Sequence, residues 1–264
     1  MAPKDRDDRV TGDELRRGER FLAAYTVIEH AMRRKWGSPT GKEAFRYLVD
    51  VLAQKDWTIR EFKGDLEEFA ELRNAIVHER ISPTYLIAVP LPEAVERIER
   101  IAAAVYDPPL VYPRFKRDVA CLSPDDKMER VFKKVSETGY SQFPVYQGPV
   151  YRGLLTDGGI ARWVAGVLSA GRAGDAGDRQ DRLGDVSVGD VLKSEKRPDR
   201  ARFISKKATI YEAEHLFRDA GRGDKWRVSA LLITESGSAE EELAGIITPS
   251  DVLALSGEWL PDIS

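Results

Sequence analysis

The chain has 264 residues, 42% hydrophobic and 32% charged, with 41 basic and 44 acidic side chains and a formal net charge of −3. That length suits two domains, the apolar content suffices for real cores, and the near balance of charge excludes a global field that would draw in DNA or an anionic membrane. A lone Cys121 excludes an internal disulfide and a C-x-x-C metal site, so a reducing, cytoplasmic setting is expected, with no metal and no required cofactor.

No run approaches the roughly 20 apolar residues of a membrane span, so no membrane partner is expected. Residues 1–20, MAPKDRDDRVTGDELRRGER, lack the apolar centre of a secretion signal and read as a flexible, solvated tail. From 21 to 106 the pattern is helical. FLAAYTVIEHAMRRKWG ends on Gly37, a C-terminal cap, and GKEAFRYLVDVLAQKD follows as a second helix. Thr58 and Glu61 carry the spacing of a capping box before a segment that ends at Ser82-Pro83. LPEAVERIERIAAAVY, with proline near its start, is a further amphipathic helix.

Residues 107–118 contain Pro108, Pro109 and Pro113, whose missing amide donors and fixed φ rule out a continuing helix; they read as a linker. Beyond it, from 119 to 264, short strands rich in Val, Ile and Leu alternate with helices. This region repeats itself. VACLSPDDKMERVFKKV lies over RFISKKATIYEAEHLF with Ser123 on Ser205, so Met128, Val131 and Val135 meet Ile210, Ala213 and Phe217 on one helix face. YRGLLTDGGIARWV likewise lies over LAGIITPSDVLALS, with Gly153 on Gly245 and Thr156 on Thr248. The expected fold is α+β: an N-terminal all-α bundle, then two β-α-β-β-α repeats at 119–170 and 186–257, joined by a Gly/Asp/Arg-rich loop at 171–185.

The duplicated unit resembles a tandem pair of CBS domains, regulatory modules that in many proteins bind adenosine nucleotides or related adenosyl ligands. The second copy carries the family motif complete in GIITPSD: Gly245, Thr248 and Asp251. The resemblance implies that Thr248 reaches toward phosphate, that Asp251 accepts from the ribose diol and that the neighbouring strand at Ile247 contacts adenine. Ser250 could add a hydroxyl, and the implied regulatory ligand is ATP, ADP or AMP. A phosphate at a helix N-terminus meets unpaired amides, and a carboxylate can accept two hydroxyls. The same residues also form a favourable helix start, with Thr248 as N-cap and Pro249 at the first helical position, which needs no ligand. The first copy keeps Thr156 but has Gly159 where the aspartate should stand, so one competent site is expected rather than two.

In ELRNAIVHER, residues 71–80, an arginine interrupts the apolar stripe drawn by Leu66, Phe69, Ile76 and Val77. The helical half resembles HEPN domains, bundles that in many cases are metal-independent ribonucleases acting as dimers. Its motif falls on Arg73, Asn74 and His78. The resemblance implies His78 as general base or acid, Arg73 on the phosphorane and Asn74 orienting the scissile group, with RNA and a homodimer as partners. At roughly 100° per residue Arg73 stands about 140° from His78, so one helix alone cannot aim both at one phosphate. The bland reading is open too: Arg73 could pair with a buried carboxylate, Asn74 could cap a carbonyl and His78 could lie at the surface. His30 and His215 read as solvated or structural. Trp163, Trp226 and Trp259 could stack on a base or pack an apolar edge. Two functions follow from these readings: an adenosine-nucleotide sensor controlling a helical dimerisation domain, or a nucleotide-gated endoribonuclease.

Overall fold

The computed structural model describes residues 11–37, 42–78, 88–170, 183–195, 200–219 and 228–259. The chain divides into two compact units, Met1–Pro109 and Leu110–Ser264. No helix among the described residues is long and apolar enough to cross a membrane.

The first unit is helical throughout its described residues: α1 (Gly12–Trp36), α2 (Phe45–Leu52), α3 (Trp57–Glu61), α4 (Lys63–His78) and α5 (Pro92–Tyr106). Helix α1 begins well inside the segment expected to be a tail. Thr11 accepts from the Glu14 amide at 3.3 Å while the Glu14 carboxylate accepts from the Thr11 amide at 2.7 Å, a reciprocal cap that overrides the polar texture of residues 12–20. Those residues are then held: Gly18 is buried, and Arg20 pairs with Glu99 of α5 at 2.7 Å. The remainder of the expected tail, residues 1–10, lies outside the described residues, as does Ser82-Pro83. Gly37 does close α1, in the left-handed conformation at φ 71°. The cap of α3 is Asp56, whose carboxylate accepts from the Ile59 amide at 3.1 Å; Thr58, expected in that role, is buried inside the helix.

The core of this unit takes one stripe from each long helix, with Phe21 and Ile28 of α1, Leu48 of α2, Leu66 and Ile76 of α4 and Ile98 of α5 all fully buried. Each such side chain contributes about 1.5–3 kcal/mol by leaving water. Phe21 meets Phe69 edge-on, and Tyr25 stacks on Phe45 with centroids 4.5 Å apart.

In the second unit the elements are α6 (Met128–Thr138), β1 (Gln142–Gln147), β2 (Val150–Thr156), α7 (Asp157–Ala170), α8 (Val188–Leu192), β3 (Ala201–Ser205), α9 (Ile210–Asp219), β4 (Ala230–Thr234), β5 (Gly245–Ile247) and α10 (Pro249–Trp259). Strands β1 and β2 pair antiparallel, with Leu122 bridging in parallel to Val145. In the other sheet β3 runs parallel to β4, which pairs antiparallel with β5. The second half thus reads β-α-β-β-α, while in the first half the opening strand is reduced to the single bridge at Leu122.

Strand alternation explains how these halves share a core. Along β4, Leu231 and Ile233 face a cluster with Ile204, Ile210 and Ala213, whereas Ala230 and Leu232 face a second cluster with Leu154 of β2 and Ile246 of β5. The two halves therefore bury one face against each other, and Tyr151 meets Phe203 edge-on across that junction at 5.2 Å.

The segments leading into the halves do not stay with them. Residues 110–116, expected as linker, pack on the second half: Val111 and Phe115 join its core, the Val111 amide donates to Ala208 O at 2.9 Å, and Leu110 bridges to Thr209. Residues 186–192, expected to open the second repeat, instead pack on the first half. Val188 and Val191 join its core, the Val188 amide donates to Asp126 O at 2.8 Å, and Ser187 bridges to Lys127. Since Ser123 aligns on Ser205, Asp126 and Lys127 align on Ala208 and Thr209, so the two exchanges are the same exchange made twice. The expected 171–185 loop lies outside the described residues up to 182.

Candidate functional site

A pocket of about 190 Å³ opens between the halves, lined by residues 117–120, residues 139–142, Ile246 and Thr248. Each wall has a local cause. Gly139 stands at φ 70°, ending α6 by donating to Val135 O at 2.8 Å, and this turn delivers Tyr140 to the rim, 46% exposed. The strap carrying Arg117 is drawn in by Lys116, which bridges to Gly245. A Cβ on Gly245 would sit 2.2 Å from Phe115 O, so the glycine of GIITPSD is required by the backbone that crosses it.

At the start of α10, Thr248 donates both its amide and its hydroxyl to Asp251 Oδ2, each at 2.7 Å, and Arg117 reaches Asp251 Oδ1 at 2.8 Å. Burial pushes the Asp251 carboxyl up, but the Thr248 and Arg117 hydrogen bonds together outweigh it and hold the group below the ordinary aspartate value. A carboxylate offers about four lone-pair positions, so one is left for a further donor. Asp251 thus satisfies the Thr248 amide at the helix start, while Thr248 also lines the pocket.

The first half builds the same clamp from a different carboxylate. Thr156 donates its amide at 2.8 Å and its hydroxyl at 2.7 Å to Glu195 Oε1, and Arg162 reaches Glu195 Oε2 at 2.8 Å. Thr156 and Glu195 are both buried, and the Glu195 side chain is fully enclosed. A Cβ on Gly159 would fall 1.9 Å from Glu195 Oε1. Gly159, missing its expected carboxylate, is thus the space into which another one is folded.

Among the residues expected from the sequence, Thr248 lines the pocket, and Asp251 stands behind that lining, bonded to Thr248 and Arg117. Thr156 belongs to the enclosed clamp of the other half. Ser250 is exposed on α10 and does not join the described lining. Ile247 is fully buried in the core with Val111 and Ile233, and its neighbour Ile246 lines the pocket, because successive strand residues face opposite sides. Arg117, Tyr140 and Glu195 went unnoticed in the sequence. Arg117 lay in a proline-rich linker and Glu195 in a polar run, and only the matched exchange of leading segments would have pointed to them. A wider cleft of about 770 Å³ borders the strap on Lys116, Arg117 and Lys206, the last paired with Glu235 at 2.8 Å.

In the helical unit Arg73 is half-buried, its guanidinium 5.9 Å from the Tyr25 ring centroid and its Nη1 3.4 Å from Asn74 Oδ1. Its place in the apolar stripe is explained by that aromatic face. His78 is the last residue of α4, and its side chain lies outside the described residues. Trp163 packs against the core of the first half, while Trp226 and the side chain of Trp259 lie outside the described residues.

A family model described as the CBS domain matches residues 115–166. No curated protein matches the chain. Solved structures similar to it include a CBS domain-containing protein of unknown function from Kribbella flavida DSM 17836, at 15% identity over 55% of this chain and 96% of that one, TM-score 0.42. A CBS-domain containing protein from Agrobacterium tumefaciens aligns at 19% identity over 52% of this chain and 89% of that one, TM-score 0.36. CBSX2, solved in complex with AMP, aligns at 16% identity over 55% of this chain and 94% of that one, TM-score 0.36. Residues 115–166, which supply the strap and the tyrosine turn of the pocket, carry the signature of a CBS domain.

Proposed function

We propose that the second unit is a sensor that binds one adenosine nucleotide, ATP, ADP or AMP, in the pocket between its halves and thereby regulates self-association of the helical unit. The observation that carries this reading is the Thr248–Asp251–Arg117 clamp on the edge of a pocket that also presents Tyr140. Each part has a chemical use. The Tyr140 ring offers a face for a base, the free lone pair of Asp251 accepts a ribose hydroxyl, and Arg117 offers a planar fork to phosphate. A cavity of about 190 Å³ is below the roughly 300–1,000 Å³ of most small-molecule pockets. It encloses base and sugar, and the phosphates run along the strap toward Lys116 and the wider cleft.

A ligand there touches residues 117–120 and Thr248 at once, so it binds best when the two halves are closed on each other; that differential affinity is what lets it regulate. We assign the helical unit no reaction: Arg73 lies against the Tyr25 ring and Asn74, and the side chain of His78 lies outside the described residues. Chelator-resistant RNA cleavage that disappears in His78→Ala would replace this part of the reading.

The test is a melting curve with AMP, ADP and ATP. A ligand at 100 times its Kd stabilises by about 2.7 kcal/mol, which for a domain of this size raises Tm by roughly 5–10 °C. Arg117→Ala and Thr248→Val should lose most of that rise. Unchanged melting with all three nucleotides ends the reading.

A further inference from the structure

The two threonine clamps have the same donors and differ in the origin of the carboxylate. In the second half it is Asp251, three residues after Thr248, partly exposed beside an open pocket. In the first half it is Glu195, 39 residues after Thr156, with its side chain fully enclosed. Position 159, which corresponds to Asp251, is glycine, and no side chain larger than hydrogen fits there while Glu195 is in place.

We propose that Glu195 stands in for the Asp251 carboxylate in the first half and closes that half to ligand, so that Glu195 and Gly159 together set the stoichiometry at one nucleotide per chain. This rests on the nucleotide reading above. The chemistry is substitution of one anion by another. The Thr156 amide and hydroxyl and Arg162 Nη2 are three convergent donors, and the Glu195 carboxylate takes all of them at 2.7–2.8 Å. With that carboxylate fully enclosed and Thr156 buried, the first half's clamp has no open side, whereas Thr248 of the second half lines a pocket. Glycine at 159 is the permissive half of the pair. Replacing it by aspartate without removing Glu195 would bring two carboxylates into one volume. Replacing both residues would copy the Thr248–Asp251 spacing onto 156–159, with the Arg162 guanidinium, from a different element, available as Arg117 is in the other half.

Two measurements test this on the full chain. The first is a melting cycle without nucleotide. Gly159→Ala should lower Tm strongly in the parent, where the methyl meets Glu195, and much less in Glu195→Ala, where the space is vacant. Equal losses in both backgrounds would mean that Glu195 does not occupy that space. The second is calorimetric titration with ATP. The parent should bind one equivalent and the Glu195→Ala, Gly159→Asp double variant two, the new binding lost again on Arg162→Ala. A double variant that melts cooperatively and still binds one equivalent overturns the proposal. Should it fail to fold, the titration of Glu195→Ala alone decides, one equivalent counting against Glu195 as the closing group and a second, weaker equivalent for it. If neither parent nor variant binds nucleotide while the melting cycle shows coupling, the nucleotide reading fails and the occupancy of position 159 by Glu195 stands.

Discussion

The two halves of the second unit differ most where they are built most alike. Both place a threonine at a strand-to-helix junction, both let its amide and hydroxyl converge on one carboxylate oxygen, and both bring an arginine to the other oxygen. In one half that carboxylate is local and borders a pocket; in the other it arrives from the segment after α8 and is sealed in. The same arrangement thus stands beside an open pocket in one half and is enclosed in the other. The difference rests on little: a glycine at 159 and a glutamate within reach of the space it leaves.

Breaking the clamps should separate them. Glu195→Ala leaves the Thr156 amide, its hydroxyl and Arg162 without their acceptor in a buried setting, and removing one partner from such an arrangement costs about 3–5 kcal/mol. Asp251→Ala, beside water that can take over its donors, should cost about 1 kcal/mol. Chemical denaturation of both variants checks the ratio, and equal losses would mean that the two clamps do the same work.

The second contrast lies along β5. Ile247→Ala removes a fully buried side chain from the core around Val111 and should cost about 2–5 kcal/mol with little direct effect on the pocket. Ile246→Ala, on the pocket face, should weaken nucleotide binding measured by titration. The reverse pattern would place the adenine contact at Ile247 after all.

The smallest effect is the dependence on acid. The Asp251 carboxyl is held low, so its stabilising contribution is fully present above the unfolded-state value of about 3.9 and is lost as pH falls through the lower folded-state value. Asp251→Asn lacks that titration. The Tm advantage of the parent over Asp251→Asn should therefore be constant near neutrality and shrink as pH falls below about 4. An advantage that grows in acid would contradict the Thr248 and Arg117 bonds.

Local features of the fold were readable in the chain wherever a residue's role depends on its near neighbours. The Gly37 cap and the proline at the start of α5 follow from spacing alone, and of the matched faces of α6 and α9 Met128, Val131, Ile210 and Ala213 are buried as that spacing requires, whereas Val135 is exposed and Phe217 only partly buried. The errors came from competing local signals. Charge in residues 12–20 masked the Thr11–Glu14 cap, and Thr58 offered a capping pattern two residues from the true cap at Asp56. For the site, Thr248 and Asp251 were legible because strand, turn and helix start are contiguous in GIITPSD. That motif lies outside the 115–166 range of the CBS match, which falls on the half whose clamp is sealed.

By itself the sequence determined the duplication, the helical and strand texture of each part and the Thr248–Asp251 pair, since all of these rest on periodicity and on residues within one turn of each other. Only the tertiary structure decided that residues 110–116 and 186–192 cross to the opposite halves, that Arg117 and Tyr140 complete the pocket, that Ile246 rather than Ile247 faces it, and that Glu195 fills the space at Gly159. Those outcomes depend on which buried donors and apolar faces find partners far along the chain, and no local pattern encodes that choice.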